Sequence, residues 1–439
     1  MGVAVIDSGI EPDMNLVDNM AQSRIVYAQD FTNTDGGIGL DSFGHGQHVA
    51  GIIGSNGLTS SCFQCTRTFK GIGPGVNLLN LKVLDSNSEG TDSAVIAAID
   101  RAIALQHQFN VRVINLSIGR PVFESYTLDP LCQAVEAAWK AGIVVVAAVG
   151  NEGRDDSHGT LGYGTVDAPG NDPYVITVGA MRSMGTPTRT DDLVASYSSK
   201  GPTQVDHVVK PDLVAPGNLV VSLLAPGSTL QQEYPSNSVQ YGYYVSGLPP
   251  IMAQKYSKSF FTLSGSSMAA AAVSGAAADL IHANPALTPD QVKLLLMGTA
   301  YKTFPFSSAA TDPATGQTFT SYYDAFTVGA GYLDLAAAMA QVNGVPLAGT
   351  AQSPTATYDP STGTVSVVFD SSSIWGQSAI WGQSSIWGQS AIWGQSTPAG
   401  QSAIWGQSAI WGQSSIWGQS AIWGQNGNSD PDVLIYGDK

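Results

Sequence analysis

The chain has 439 residues, 43% of them hydrophobic, enough for one large domain or two ordinary ones around a substantial core. It carries 18 Lys and Arg against 34 Asp and Glu, a net charge of -16 that argues against a surface built to track nucleic-acid phosphates. No run of about 18 uncharged apolar residues is present to cross a membrane, and the low charged fraction of 12% is a composition loosely associated with exported proteins.

The first residues, MGVAVIDSG, read directly as a strand, without the basic region and apolar segment of a signal peptide. Further along, NLLNLKVLD, VRVINLSIG, IVVVAAVGN and YVITVGAM are apolar enough to be strands buried on both faces, the signature of a parallel sheet covered by helices. Between them, GTDSAVIAAIDRAIALQH and LDPLCQAVEAAWKAG repeat apolar residues at helical spacing, with Thr91 or Asp92 placed to cap the first. This alternation predicts an α/β layered domain, in which ligands gather outside the carboxyl ends of the strands. Asp7, Ser117 and Asn151 all fall at such ends.

Near residue 260 the sequence FTLSGSSMAAAAVSG crowds serines before a run of strong helix formers, which places them at a helix N-terminus. Unpaired N–H groups and partial positive charge there suit a serine that stabilises a developing oxyanion; an ordinary N-cap is the plainer alternative. Of the three cysteines, Cys62 and Cys65 form a CxxC whose spacing supplies no further zinc ligands beyond the nearby His45 or His48, so a short-loop disulfide or two free thiols is favoured. Cys132 reads as a small buried hydrophobe.

From about Gly344 the composition shifts to Pro, Thr, Ser and Gly, read as a linker or short β annex over 344–371. Residues 372–425 then divide into nine hexads, eight of the form S-[SA]-I-W-G-Q and one, STPAGQ, that has lost its Ile and Trp; they hold eight of the nine tryptophans, and 426–439 reads as a polar tail. Six residues of helix turn about 600°, so each Trp is rotated about 240° from the last and no apolar stripe forms; an extended strand keeps register because six is even. A small β solenoid and an unstructured low-complexity tail are the two readings left, and exposed indoles suggest attachment to a glycan, a cell surface or another protein.

Four polar positions carry chemistry together, although each alone has a plainer reading. Asp7 closes a strand, where a turn or cap Asp is common; His45 lies between two glycines, as a satisfied polar histidine or, with His48, half of a metal pair; Asn151 could be a turn residue. A Ser hydroxyl needs an imidazole to take its proton, the imidazole needs an acceptor to fix its tautomer, and a tetrahedral intermediate needs preorganised donors.

The segments VIDSGI, GHGQHVAG, AAVGNEG and SGSSMAA, in that order, resemble the subtilase family of serine endopeptidases, and KGIGPGVNLLNLKVLD and GAGYLDLAAAM extend the resemblance over roughly residues 1–340. The resemblance implies a subtilisin-like three-layer α/β domain over 1–343, with Asp7 orienting the imidazole, His45 as general base and acid, Ser267 as nucleophile, and Asn151 donating to the oxyanion. In that reading Ser266 fills the family's Thr position and Ser264 has no role. It also implies that Ser117, Ile118 and Gly119 pair with an extended peptide, that Ala148, Val149 and Gly150 form the opposite wall of the specificity pocket, and that substrates are extended or unfolded proteins. Arg120, where Gly is common, suggests a mild preference for acidic residues at the cleft rim. No catalytic cofactor or metal is implied; structural calcium is compatible with the acidity, but no specific loop matches. Gln47 in place of Thr, and Ala271 and Ala272 in place of Pro and His, depart from the family pattern without removing a catalytic group. The family carries a leader and an inhibitory prosegment before such a domain, so a secreted product and a fragment of a longer sequence are expected. A non-catalytic adhesion protein on the same scaffold is the competing reading. A sedolisin-type peptidase is disfavoured by the GHGQHVAG motif, since that class uses Glu in place of the His.

Overall fold

Apolar runs without alternation need cover on both faces, and five of them do form the interior of one sheet. The computed structural model describes residues 1–32, 38–157, 159–312, 315–344, 350–359, 361, 364–368, 422–423 and 431–438. Strands β1 (Gly2–Asp7), β2 (Ile25–Asp30), β3 (Asn77–Lys82), β5 (Val111–Leu116), β6 (Val144–Ala148), β7 (Ile176–Arg182), β8 (Leu193–Val194) and β9 (Leu213–Pro216) make an eight-stranded sheet; β4 (Gly90–Thr91) lies outside it. The order is β2-β3-β1-β5-β6-β7-β8, with β9 also paired to β7, and every pairing except β7 with β8 is parallel. β2 was not visible in the hydrophobic pattern because, as an edge strand, it is only partly buried.

Helices cover both faces. The Ser267 helix (Ser266–Ala283) packs against β5, β6, β7 and β9 and against the His45 helix (His45–Gly54), while Asp92–Ala104 and Pro130–Lys140 pack together on the other side. Thr91 caps the Asp92 helix by accepting from the Ala94 N–H at 3.2 Å, and Asp129 caps the next by accepting from the Leu131 N–H at 2.9 Å. Close approach in the buried layer depends on small residues: a Cβ on Gly275 would sit 2.7 Å from Ile72 Cβ.

Cys62 and Cys65 are joined in a disulfide, and Cys132 is buried, its thiol pushed well up by desolvation. After residue 350 the chain is tied back. Lys293 Nζ, fully buried, donates to Ser353 Oγ at 2.9 Å and pairs with Asp212 at 3.2 Å, and a hairpin of Thr355–Asp359 and Thr364–Val368 sets Ala356 and Val365 against Val209 and Phe326.

Most of the hexad block lies outside the described residues. Its Ile422–Trp423 pairs antiparallel with β4, Ile422 opposite Thr91. The chain end departs from the polar tail expected over 426–439. Pro431–Tyr436 is a short helix whose Val433, Leu434 and Ile435 are buried against the main core, so the apolar triplet VLI outweighs its polar flanks. Polar contacts complete the docking: Leu434 O accepts from the Ser264 N–H at 2.8 Å, and Asp438 accepts from Ser196 N, Ser196 Oγ and Arg154 Nη2 at 2.6, 2.7 and 2.7 Å.

Candidate active site

β1 is the point where the sheet order reverses: the chain adds β2 and β3 on one side and β5 onward on the other. Its last residue, Asp7, therefore opens onto the crevice at the strand ends, flanked by Lys82 of β3 and the end of β5. The His45 helix starts against it. Gly46 permits this, since a Cβ there would meet Gly9 O at 2.3 Å and Asp7 Cβ at 3.2 Å. His45 Nδ1 consequently lies 2.7 Å from Asp7 Oδ1, which also accepts from the Ser8 N–H at 2.8 Å. Both side chains are buried, Asp7 at 1% and His45 at 2% exposure, while His45 Nε2 has no hydrogen-bond partner among the described residues.

Burial disfavours an imidazolium at His45, but the charge and hydrogen bond of Asp7, with a smaller contribution from Asp41, outweigh it and hold the pKa above the ordinary histidine value. Asp41 was missed in the sequence. Its carboxylate accepts from Ser8 Oγ, the Gly44 N–H and the Gln47 N–H at 2.8, 2.7 and 2.7 Å, fastening the helix start to the end of β1. An Asp three residues ahead of the Gly44 cap was the available signal. His48 is not half of a metal pair with His45. Its Nε2 faces the carbonyls of Val220 and Phe261 at 3.0 and 3.2 Å, and desolvation, with the charge of His45, lowers its pKa to about 3.

The cap of the Ser267 helix is Gly265, with φ of 148°, so neither Ser266 nor Ser267 serves as an N-cap. Ser267 is instead in the first turn, where its N–H has no intrahelical acceptor. Its Oγ donates to Ser117 O at 3.0 Å, and Ser117 Oγ returns a bond to Ser267 O at 2.8 Å. The hydroxyl is thus not bonded to His45 here, although both residues line one cavity. Asn151 lines it too, and its Oδ1 accepts from Ser266 N and Oγ at 2.9 and 3.1 Å, which leaves Nδ2 as the remaining polar group of that side chain. Ser264 does have a role: its Oγ accepts from the Leu219 N–H at 2.9 Å.

Ser117, Ile118, Gly119, Ala148 and Gly150 all line the cavity; Val149, fully buried, does not, its N–H and carbonyl being used by Val178 and Asp167. Arg120 cannot supply the positive rim expected of it. It is 3% exposed, with Nη2 on Asp129 at 2.7 Å and Nε on Asp92 at 3.1 Å, and these carboxylates raise its pKa against the opposing effect of burial. Two lining residues were not legible: Glu152 and Asp167.

The parallel α/β sheet, with a carboxylate–imidazole pair at its switch point and a helix-start serine lining the same cavity as the imidazole, defines the subtilisin-like class of α/β fold. The chain belongs to the subtilase family, which it matches over residues 1–331. It is 36% identical over 303 residues to serine protease AprX of Bacillus subtilis (strain 168), covering 67% of this chain and 60% of that protein. Subtilisin DY of Bacillus licheniformis is 32% identical over 298 residues, covering 68% and 82%. The chain thus spans less than two thirds of the length of AprX. Among solved structures, sphericase shares the fold with a TM-score of 0.52 at 24% identity, over 76% of this chain and 90% of that one.

Proposed function

We propose that this chain is a serine endopeptidase acting on extended or unfolded protein, with Ser267 as nucleophile, His45 as base and then acid, Asp7 as the group that orients His45, and Asn151 with the Ser267 N–H as oxyanion donors. The observation that carries this reading is the 2.7 Å contact of Asp7 with His45 Nδ1, which leaves a buried, unpartnered Nε2 in the cavity that holds Ser267. Ser267 Oγ leaves Ser117 O, gives its proton to Nε2 and bonds to the scissile carbonyl carbon, whose oxygen takes the charge. His45 then delivers that proton to the leaving nitrogen as the C–N bond breaks, and water repeats the sequence on the acyl-enzyme. Loss of the Asn151 donor is expected to cost about 10² to 10³ in kcat, the known cost in subtilisin itself rather than a magnitude worked from this structure.

A fluorophosphonate probe tests the assignment. Folded parent protein should label and Ser267→Ala should not; an unlabelled, folded parent would favour the adhesion reading. No catalytic metal enters the scheme. Secretion accords with the family, and among the described residues no helix is long and apolar enough to cross a membrane. The tryptophan hexads would serve as the attachment surface, and removal of 372–425 should lower retention on cells or glycan resin; unchanged retention refutes that role.

A further inference from the structure

We propose that the last residues of the chain, 431–438, are a positioning element for Ser267: docked beside the entry to its helix, they fix the turn on which its hydroxyl and N–H depend. This rests on the peptidase reading above. The strand Tyr256–Leu263 leads into that turn and is held by its ladder to Val220–Leu223, which ends where Leu263 lies opposite Val220. Ser264, fully buried, is past the last rung, and its N–H donates to Leu434 O at 2.8 Å instead of to the sheet. Gly265 follows, donating to Gly217 O at 2.8 Å, and the segment grips a neighbour on each side of that bond. Ser264 is held by Leu434. Asn218 is held by Asp438, its Nδ2 donating to Asp438 O at 2.9 Å and its Oδ1 accepting from the Asp438 N–H at 2.7 Å. Asn237 Nδ2 adds a bridge, donating to Ile435 O at 2.8 Å and to Thr262 O at 3.0 Å.

Gly437 allows the close approach. Its φ of 55° is left-handed, and a Cβ on it would meet Asn218 Oδ1 at 2.3 Å and Ser264 Oγ at 2.4 Å. Burial of Val433, Leu434 and Ile435 in the main core seats the segment against this turn. The turn in turn touches the proposed oxyanion donors: a Cβ on Gly265 would lie 3.5 Å from Asn151 Nδ2, and the Ser266 N–H donates to Asn151 Oδ1 at 2.9 Å. Displacing Ser264 and Gly265 therefore displaces Asn151 and the Ser267 N–H as well, and about 1 Å of misplacement can cost about a hundredfold in rate. Among the described residues of the segment none lines the cavity, so its effect falls on turnover and not on substrate binding.

Gly437→Ala tests this in the full chain, since it disturbs the approach to Ser264 while keeping Val433, Leu434 and Ile435. Rates are counted per site titrated to completion with a fluorophosphonate, which removes any loss of folded protein from the comparison. On a peptide anilide, kcat per titrated site should fall at least tenfold with KM within threefold of the parent's, and the rate of labelling should fall with it. A chain ending at residue 430 should show the same loss, which the free peptide PDVLIYGDK should reverse and the same peptide with Ala in place of its Gly should not. A kcat per titrated site in Gly437→Ala within twofold of the parent's, or above it, overturns the proposal while leaving the peptidase reading intact. So does a folded chain ending at residue 430 that the peptide leaves unchanged. Failure of the peptidase reading looks different: the parent cleaves no peptide and takes no label.

Discussion

Replacing Asp438 by Ala tests whether the last residues of the chain are part of the folded domain. Asp438 is 3% exposed, and its carboxylate satisfies three donors, the Ser196 N–H, Ser196 Oγ and Arg154 Nη2. Truncation leaves the Ser196 N–H buried without its acceptor and removes the nearer of the two carboxylates paired with the Arg154 guanidinium, the other being Asp312 at 3.9 Å. Breaking a buried charged pair costs about 3–5 kcal/mol. The Arg154 side chain is 14% exposed and regains some water, which favours the lower end, about 3 kcal/mol. The assay is urea unfolding at pH 7 in a Ser267→Ala background, which removes self-digestion. With a slope of about 3 kcal/mol/M or more for a chain of this size, the midpoint should fall by up to about 1 M with little change in slope. Asp438→Asn retains an acceptor and should lose less than Ala. A loss under about 0.5 kcal/mol in Asp438→Ala would show that the segment is not docked in solution, and the packing of Val433, Leu434 and Ile435 would have to be abandoned with it.

Two pH effects arise from the histidines. His45 acts as a base only when neutral, and Asp7 and Asp41 hold its pKa up against burial. kcat/KM should therefore rise with pH through a midpoint above 6.5, and Asp7→Asn should move that midpoint down and lower kcat by several orders of magnitude; an unmoved midpoint refutes the coupling. His48 has the opposite sign. Its folded pKa is depressed to about 3 against about 6.5 unfolded, so its contribution is complete above pH 6.5 and is lost as pH falls toward 3. Over that window it should contribute a slope of about 1.4 kcal/mol per pH unit, which His48→Gln removes from the pH dependence of unfolding; a slope unchanged in the variant refutes the assignment.

The central strands and the residues of the candidate site were legible for different reasons. β1, β3, β5, β6 and β7 are continuous apolar runs, and only a sheet covered on both faces accommodates them. Asp7, His45, Asn151 and Ser267 could be read because the chemistry restricts residue type at each place. What could not be read depends on pairing between distant segments. Arg120 looks like a rim cation until the fold brings Asp92 and Asp129 to it, and Asp167 looks like a turn residue ahead of Pro169 until Gly119 and Gly150 close around it. Local composition also misread the chain end, since Val433, Leu434 and Ile435 meet the main core only through folding, where Ser264 and Ser196 bond to the same segment.

The resting position of Ser267 is consistent with catalysis rather than against it. Its hydroxyl donates to Ser117 O, a neutral hydrogen bond with a net value of about 1 kcal/mol, while His45 Nε2 is a buried acceptor that costs about 1–3 kcal/mol to leave unsatisfied. In the proposed mechanism, exchanging the Ser117 bond for one to Nε2 would give up the first and relieve the second, so the exchange would be close to neutral or favourable. A peptide bound beside Ser117, as proposed, would exclude water from the imidazole and raise the value of that exchange. On the proposed reading Ser267 would be the nucleophile and His45 its base, with the carboxylate of Asp7, 2.7 Å from Nδ1, placed to stabilise the imidazolium.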